Sequence, residues 1–382
     1  VEVMMTVELE VADNPARMAE LSFTRTVERA LVHRTAVAEV FVTDVVPAGP
    51  QRLLVAAQLP LSHGYYSDHL GGPPLFDPLL ILEASRQAGI AGGHLLGFPP
   101  DTIMMVDRFE LDLSDISALR IGHLPGELLI DSRFEVTRVR RGRVRQGVVR
   151  QDLRLGARHV GTHLMQVQIV SHDELAALRT VVRGTPAPST RDMADVTDPL
   201  QAPPAMVGRV NPLNVVLAQV EPGEATVQAV VKPRFGNRSL FDHHYDHLPA
   251  MALTEAARQL ALVACGDTAA WPASVTGEFR RFAELDLPVH ASALCTELVP
   301  AAPASAGKAG KAGDAGDGAD AGAGNADAAL NGDAARSVDG SRNGDGAPNS
   351  DEARRRRTRV AVSFLQDGSP IAESTLVMVQ HD

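Results

Sequence analysis

Two short patterns in the 382-residue chain carry groups able to do acid–base or anion chemistry. Glu83, Arg86 and Gln87 stand at i, i+3 and i+4, and Glu255, Arg258 and Gln259 repeat the spacing. On a helix each trio shares one face. The residues around the first trio, Leu79-Leu80-Ile81-Leu82 and Ala88-Gly89-Ile90-Ala91, are apolar, so that helix is expected to be buried almost all round. A carboxylate taken out of water needs a paired cation. Each trio therefore reads either as a structural staple or as an ionisable group tuned by a dry site. Burial raises a Glu pKa and a neighbouring Arg lowers it, so the balance decides whether the group can serve as a base.

Histidines cluster just upstream. Five of the thirteen fall in two pre-helical loops: His63 and His69 before the first helix, His243, His244 and His247 before the second. A lone histidine is usually structural, but this enrichment beside a repeated polar stripe points to a site. His243, His244 and His247 are of a type that binds zinc. The chain has no HExxH pattern, and no metal or nucleotide cofactor is expected, since it also lacks GxGxxG and Walker loops.

The elements that must hold these groups come in two similar sets. His33-Arg34 through Val40 corresponds to Gly208-Arg209 through Val215, Pro47 to Pro222, Pro60 to Pro233, and Arg108-Phe109 to Arg281-Phe282, with offsets of 173 to 175. The match of Thr162–Val167 to Ser374–Val379 has an offset of 212, which an insertion in the second copy explains. In copy one, strands are predicted at 39–45, 52–59, 102–113, 127–140, 147–155 and 161–170. A helix is predicted from Asp77 to Leu96, opened by Asp77-Pro78. In copy two the helix is expected at 249–265, with strands near 214–220, 225–231, 278–285, 291–299, 359–365 and 373–380. One apolar helix with several antiparallel strands, twice, is an α+β architecture. The expected division is an N-terminal extension (1–30), domain one (31–183), a Pro/Thr/Ser/Asp-rich linker (184–204) and domain two (205–382). A flexible Ala/Gly/Asp-rich insertion (301–353), with nine acidic and four basic residues, interrupts domain two.

Composition excludes several classes. Net charge −11 and pI about 5.6 argue against nucleic acid. No apolar run is long enough to span a bilayer, and the first residues do not read as a secretory signal. Cys265 and Cys295 make no disulfide framework. A cytoplasmic protein with no membrane association is expected.

Gly71-Gly72-Pro73-Pro74-Leu75-Phe76-Asp77-Pro78, with His69 fourteen residues before Glu83, resembles the loop and central helix of hotdog-fold acyl-carrier-protein dehydratases. Val32-His33-Arg34, Asp77-Pro78-Leu79-Leu80 with Glu83 and Arg86-Gln87-Ala88, Phe241-Asp242-His243 with Asp246-His247, and Glu255 through Gln259 more closely resemble the AfsA-like A-factor biosynthesis family, the γ-butyrolactone synthases. The second copy has Pro249-Ala250-Met251 where Pro-Gly-Met is more usual in that family.

The resemblance implies a tandem (double) hotdog, each half a long helix wrapped by an antiparallel sheet, paired as an intramolecular pseudo-dimer. It implies an acyltransferase moving a β-ketoacyl group from acyl carrier protein to a hydroxyl of dihydroxyacetone phosphate. The ester would lead to γ-butyrolactone or related furan signals that control secondary metabolism. Family helix residues map onto Glu83, Glu255 and Arg258. The expected roles are Glu255 as general base, Arg258 as phosphate or acyl anchor and Glu83 as second acid/base. Arg86, His69, His243, Asp246 and His247 are expected to contact substrate, a helix N-terminus to hold the oxyanion, and both clusters to share one apolar channel. A dehydratase or thioesterase on the same fold, and a non-catalytic acyl-ligand-binding regulator, are the competing readings. Association into a homo-oligomer is left open.

Overall fold

A computed structural model describes residues 18, 20–99, 101–223, 226–298 and 356–380. Residues 1–17 and 19 of the 1–30 extension and the whole 301–353 insertion lie outside the described residues.

Copy one contributes strands β1 (Val42–Gly49), β2 (Arg52–Leu59), β3 (Thr102–Leu113), β4 (Gly126–Arg140), β5 (Arg143–Leu155) and β6 (Arg158–Ser171), with helix α1 (Pro78–Leu95). A second helix, α2 (His172–Arg183), follows β6. Copy two contributes β7 (Leu217–Pro222), β8 (Thr226–Val231), the two-residue β9 (His247–Leu248), helix α3 (Ala250–Cys265), β10 (Trp271–Phe279), the two-residue β11 (Ala283–Glu284), β12 (Val289–Leu298), β13 (Arg357–Gln366) and β14 (Ser369–Val379).

Twelve of these strands form one sheet in the order β1-β2-β4-β5-β6-β3-β10-β14-β13-β12-β8-β7, all neighbours antiparallel. The order reads the same from either end once each strand is replaced by its partner in the other copy. The two halves meet at β3 and β10, where Phe109 stands opposite Gly277 and Arg108 opposite Glu278. This is the double hotdog expected from the sequence.

Asp77 starts α1 by accepting the Leu79 amide at 2.8 Å, with Pro78 in the first turn. All of α1 except Arg86, His94 and Leu95 is buried, as is Met251–Leu262 of α3. Such helices contribute through apolar area removed from water, roughly 1.5–3 kcal/mol for each fully buried Leu or Ile. Among the described residues no helix is long and apolar enough to cross a membrane.

Three features differ from expectation. The strand placed at 278–285 runs from Trp271 to Phe279, starting soon after α3 ends. The chain then turns, with the amides of Arg280 and Arg281 both donating to the Ile371 carbonyl. The Arg108-Phe109 and Arg281-Phe282 pairs are therefore not equivalent: the first lies in the central strand and the second lies beyond its partner. Helix α2 was not anticipated, although Ser171 and Glu174 form a reciprocal capping box that the S-x-x-E spacing announces. The 184–204 segment, read as a linker, binds copy two. Thr190 and Tyr245 exchange hydrogen bonds at 2.9 and 3.0 Å, and the Leu200 carbonyl accepts the Gln219 amide.

Candidate active site

In each copy a 3₁₀ turn, Arg29–Val32 or Pro204–Val207, ends in a left-handed residue, His33 (φ 53°) or Gly208 (φ 71°). The reversal sends the next side chain, Arg34 or Arg209, back toward the central helix. Glycine takes this conformation freely; His33 adopts it while its Nε2 meets His94 Nε2 at 2.7 Å.

Arg34 and Arg209 complete the two polar clusters. Glu83 accepts from Arg34, from Arg86 Nε and Nη2 at 2.8 and 3.0 Å, and from Gln87 Nε2 at 2.7 Å. Glu255 accepts from Arg209 Nε at 3.1 Å, Arg258 Nε and Nη2 at 3.0 and 2.7 Å, Gln259 Nε2, and the Tyr65 hydroxyl at 2.9 Å. Each glutamine also ties its helix to the chain entering the next strand. Gln87 bonds Glu39 O and Phe41 N, and Gln259 bonds Asn214 O and Val216 N.

Both glutamates are fully buried. Burial pushes their pKa up, but two guanidiniums apiece outweigh it, and both fall to about 2. The raised carboxylate pKa wanted for a general base is not there. Glu83 and Glu255 hold and orient arginines. Arg34 and Arg209 are not among the site residues expected from the sequence; the signal that marks them is their shared offset of 175.

The loops cross between copies. The copy-one loop carries Tyr65 and His69 to the Glu255 cluster, where Arg209 and Arg258 act on His69. The copy-two loop carries His243 and Tyr245 toward Arg34 and Arg86, which act on both. The fourteen-residue spacing of His69 and Glu83 therefore makes no dyad. His69 Nε2 lies 3.0 Å from Asp77 Oδ2, and its ring packs against Trp271. Burial leads the lowering of the His69 pKa.

A cavity of about 1020 Å³ opens on the Glu83 cluster only. Arg34, Arg86, Ser239, Tyr245 and His247 line it, with Pro249, Ala250 and Met251 at the start of α3 and an apolar wall that includes Met104, Val106, Leu253 and Ile371. Glu255, Arg258 and His69 are absent from its walls, so the expectation of one channel shared by both clusters is corrected. Arg86 is 22% exposed, whereas Arg258 is 3% exposed. Arg34 Nε is buried with no hydrogen-bond partner.

Two further features face this space. His247 Nδ1 lies 2.6 Å from Asp246 Oδ1, while Arg179 of α2 donates from Nε to Asp246 Oδ2 at 2.8 Å and from Nη2 to the Asp246 carbonyl. Burial pushes the Asp246 carboxyl up, yet His247 and Arg179 bring it down to about 2, leaving an ionised partner that fixes the imidazole. Arg179 is itself anchored on Glu284. The second feature is the N-terminus of α3. Pro249 occupies the cap position and offers no side-chain acceptor, so no side chain caps the amides of Ala250 and Met251, residues that line the cavity. Ala250 is helical there, so the residue found in place of glycine needs no unusual backbone. His243 lies beside this space, stacked on Tyr245 at 4.1 Å and 3.7 Å from Asp242.

Comparison with known proteins matches residues 16–171 and 191–302 to the A-factor biosynthesis hotdog domain. The chain is 33% identical over 277 residues to a 2-oxo-3-(phosphooxy)propyl 3-oxoalkanoate synthase of Streptomyces virginiae, covering 69% of this chain and 86% of that one. It is 29% identical to the synthase of the same name from Streptomyces coelicolor, covering 69% and 80%. Solved structures similar to it include a 12:0-ACP thioesterase from Umbellularia californica (10% identity, TM-score 0.43, covering 88% and 100%). Another is the dehydratase domain of the polyketide PpsC from Mycobacterium tuberculosis (12%, 0.43, covering 89% and 97%).

Proposed function

From the premise that the chain belongs to the A-factor biosynthesis hotdog family, as an acyl-transferring synthase of that class, we propose that it moves a β-ketoacyl group from an acyl carrier protein thioester to a hydroxyl of dihydroxyacetone phosphate. The product is a phosphorylated β-ketoester, whose cyclisation leads toward butenolide and γ-butyrolactone signals. One observation carries this reading. A single cavity combines arginines for an anion, an oriented histidine, a helix N-terminus without a side-chain cap and an apolar wall suited to an alkyl chain.

The roles follow from chemistry. Arg86, its geometry fixed by Glu83, grips the acceptor phosphate with Arg34 behind it. His247 Nε2 takes the proton of the attacking hydroxyl as the new C–O bond forms, with Asp246 stabilising the imidazolium. The amides opening α3 hold the oxyanion of the tetrahedral intermediate. Its collapse breaks the C–S bond, and His247 returns the proton to the departing thiolate. The acyl tail lies along Met104, Val106 and Ile371. This assignment moves the base from Glu255 to His247, because a carboxylate held near 2 by two arginines is a poor proton acceptor.

The test is incubation with β-ketoacyl thioesters and dihydroxyacetone phosphate, with mass spectrometry of products. A phosphorylated ester that forms only with both components supports the proposal. Free acid released without acceptor marks a thioesterase, and water loss from a 3-hydroxyacyl thioester marks a dehydratase.

A further inference from the structure

We propose that the chain works through one site only, and that Tyr65 shuts the other by filling the place that a ligand's polar group takes in the first. This deepens the reading above and rests on it only for the identity of the anion bound.

The two loops can be matched residue by residue through their hydrogen bonds. Asp68 accepts the amides of Val210 and Asn211, both at 3.1 Å, and Asp242 accepts those of Thr35 and Ala36. Those amides are themselves 175 positions apart, so Asp68 and Asp242 are equivalent. Three residues earlier stand Tyr65 in one loop and Ser239 in the other.

These two residues make the clusters differ. Tyr65 is 1% exposed; its hydroxyl donates to Glu255, its ring lies 4.5 Å from the Arg209 guanidinium, and its carbonyl accepts from Arg209 Nη1 at 2.6 Å. It seals Arg258. Ser239 is too short to reach Glu83; its hydroxyl turns to Glu39 at 3.0 Å, and the volume it leaves is part of the cavity before Arg86.

An independent difference at the helix starts closes the same site again. Asp77 caps α1 through Oδ1 and lies 3.0 Å from His69 Nε2 through Oδ2, so the amide and the histidine that could serve a ligand are both turned to one carboxylate. At the matching place α3 has Pro249, which has no side-chain acceptor to cap the first amides. Copy two's cluster is thus a structural lock, and beneath Tyr65 lies a latent site for a phosphate-class anion on Arg258.

Two measurements on the full chain decide it: calorimetric titration with dihydroxyacetone phosphate and with inorganic phosphate, and phenylglyoxal labelling mapped by peptide mass. Wild type and Tyr65→Phe, which keeps the plug, are expected to bind one phosphate per chain and to be labelled at Arg86 but not Arg258. Tyr65→Ser is expected to move the stoichiometry from one to two and to expose Arg258 to the reagent. Two binding events in wild type, or Arg258 labelled there as fast as Arg86, would overturn the proposal even if Tyr65→Ser failed to fold. So would a folded Tyr65→Ser protein with Arg258 still unlabelled. If wild type shows the expected labelling but binds no dihydroxyacetone phosphate, the acceptor assignment fails and the one-site inference stands.

Discussion

A glutamate between two arginines is stable because no charge in it is left alone, and for the same reason it is a poor base. Replacing Glu255 with Gln strips the negative charge from between Arg209 and Arg258, both buried. The expected cost is about 3–5 kcal/mol, the usual loss when one partner of a buried ion pair is removed. Denaturant unfolding measures it, and ester formation should fall in proportion to the folded fraction. His247 is a different case. It is part-exposed, and His247→Gln can keep the bond to Asp246, so stability should stay within about 0.5 kcal/mol of wild type. Its kcat should fall by about 10²- to 10⁴-fold with little change in KM. Wild-type turnover by this variant would remove His247 from the mechanism.

At the scale of elements, the difference between α1 and α3 is a cap. The Asp77 carboxylate satisfies the Leu79 amide of α1, whereas Pro249 has no side-chain acceptor for the matching amide of α3. Pro249→Asp should therefore strengthen α3 by about 1 kcal/mol. It should also lower kcat by about 10²- to 10³-fold, because the new carboxylate takes the place of the oxyanion. Thermal unfolding and steady-state kinetics on one preparation check both signs; a gain in stability with undiminished kcat would show that the amides do not serve the reaction. Helix α2 acts through Arg179 and Arg183, which brace Asp246, Glu284 and Asp286 at the cavity rim. An element outside the repeat thus positions the histidine of the site.

Across the whole molecule, the buried ionisable groups make the fold acid-sensitive. His163 is fully buried on β6, where desolvation lowers its pKa to about 3. The unfolded chain takes up that proton below its ordinary pKa near 6.5, and the native state does not until about 3. Stability therefore falls as pH drops through that window, by about 1.4 kcal/mol per pH unit for this one group. Glu83 and Glu255 add a loss of the same sign between about 4.5 and 2. His163→Asn, which can still donate to Gln151 as His163 Nδ1 does, should flatten the slope between pH 6 and 4 by one proton. An unchanged slope in denaturant titrations would show that His163 is not the group responsible.

What the amino-acid order determines by itself is the repeated part of this protein. Apolar periodicity with Asp77-Pro78 marks α1, and the i, i+3, i+4 trios mark both polar clusters, because helix geometry relates neighbours in sequence to neighbours in space. The strand at 271–279 was displaced in the reading because Pro272, Ala273 and Ser274 lack the β-branched signature that marks its partners. Only the tertiary structure decides which loop serves which helix. Chain crossing places His69 with Glu255 and His243 with the Glu83 cluster, contacts that no local spacing encodes. It also decides the balance between desolvation and paired charge at each glutamate, since Arg34 and Arg209 arrive from about fifty residues away. A carboxylate's acidity depends on what folding brings against it, and here folding brings a second arginine to each.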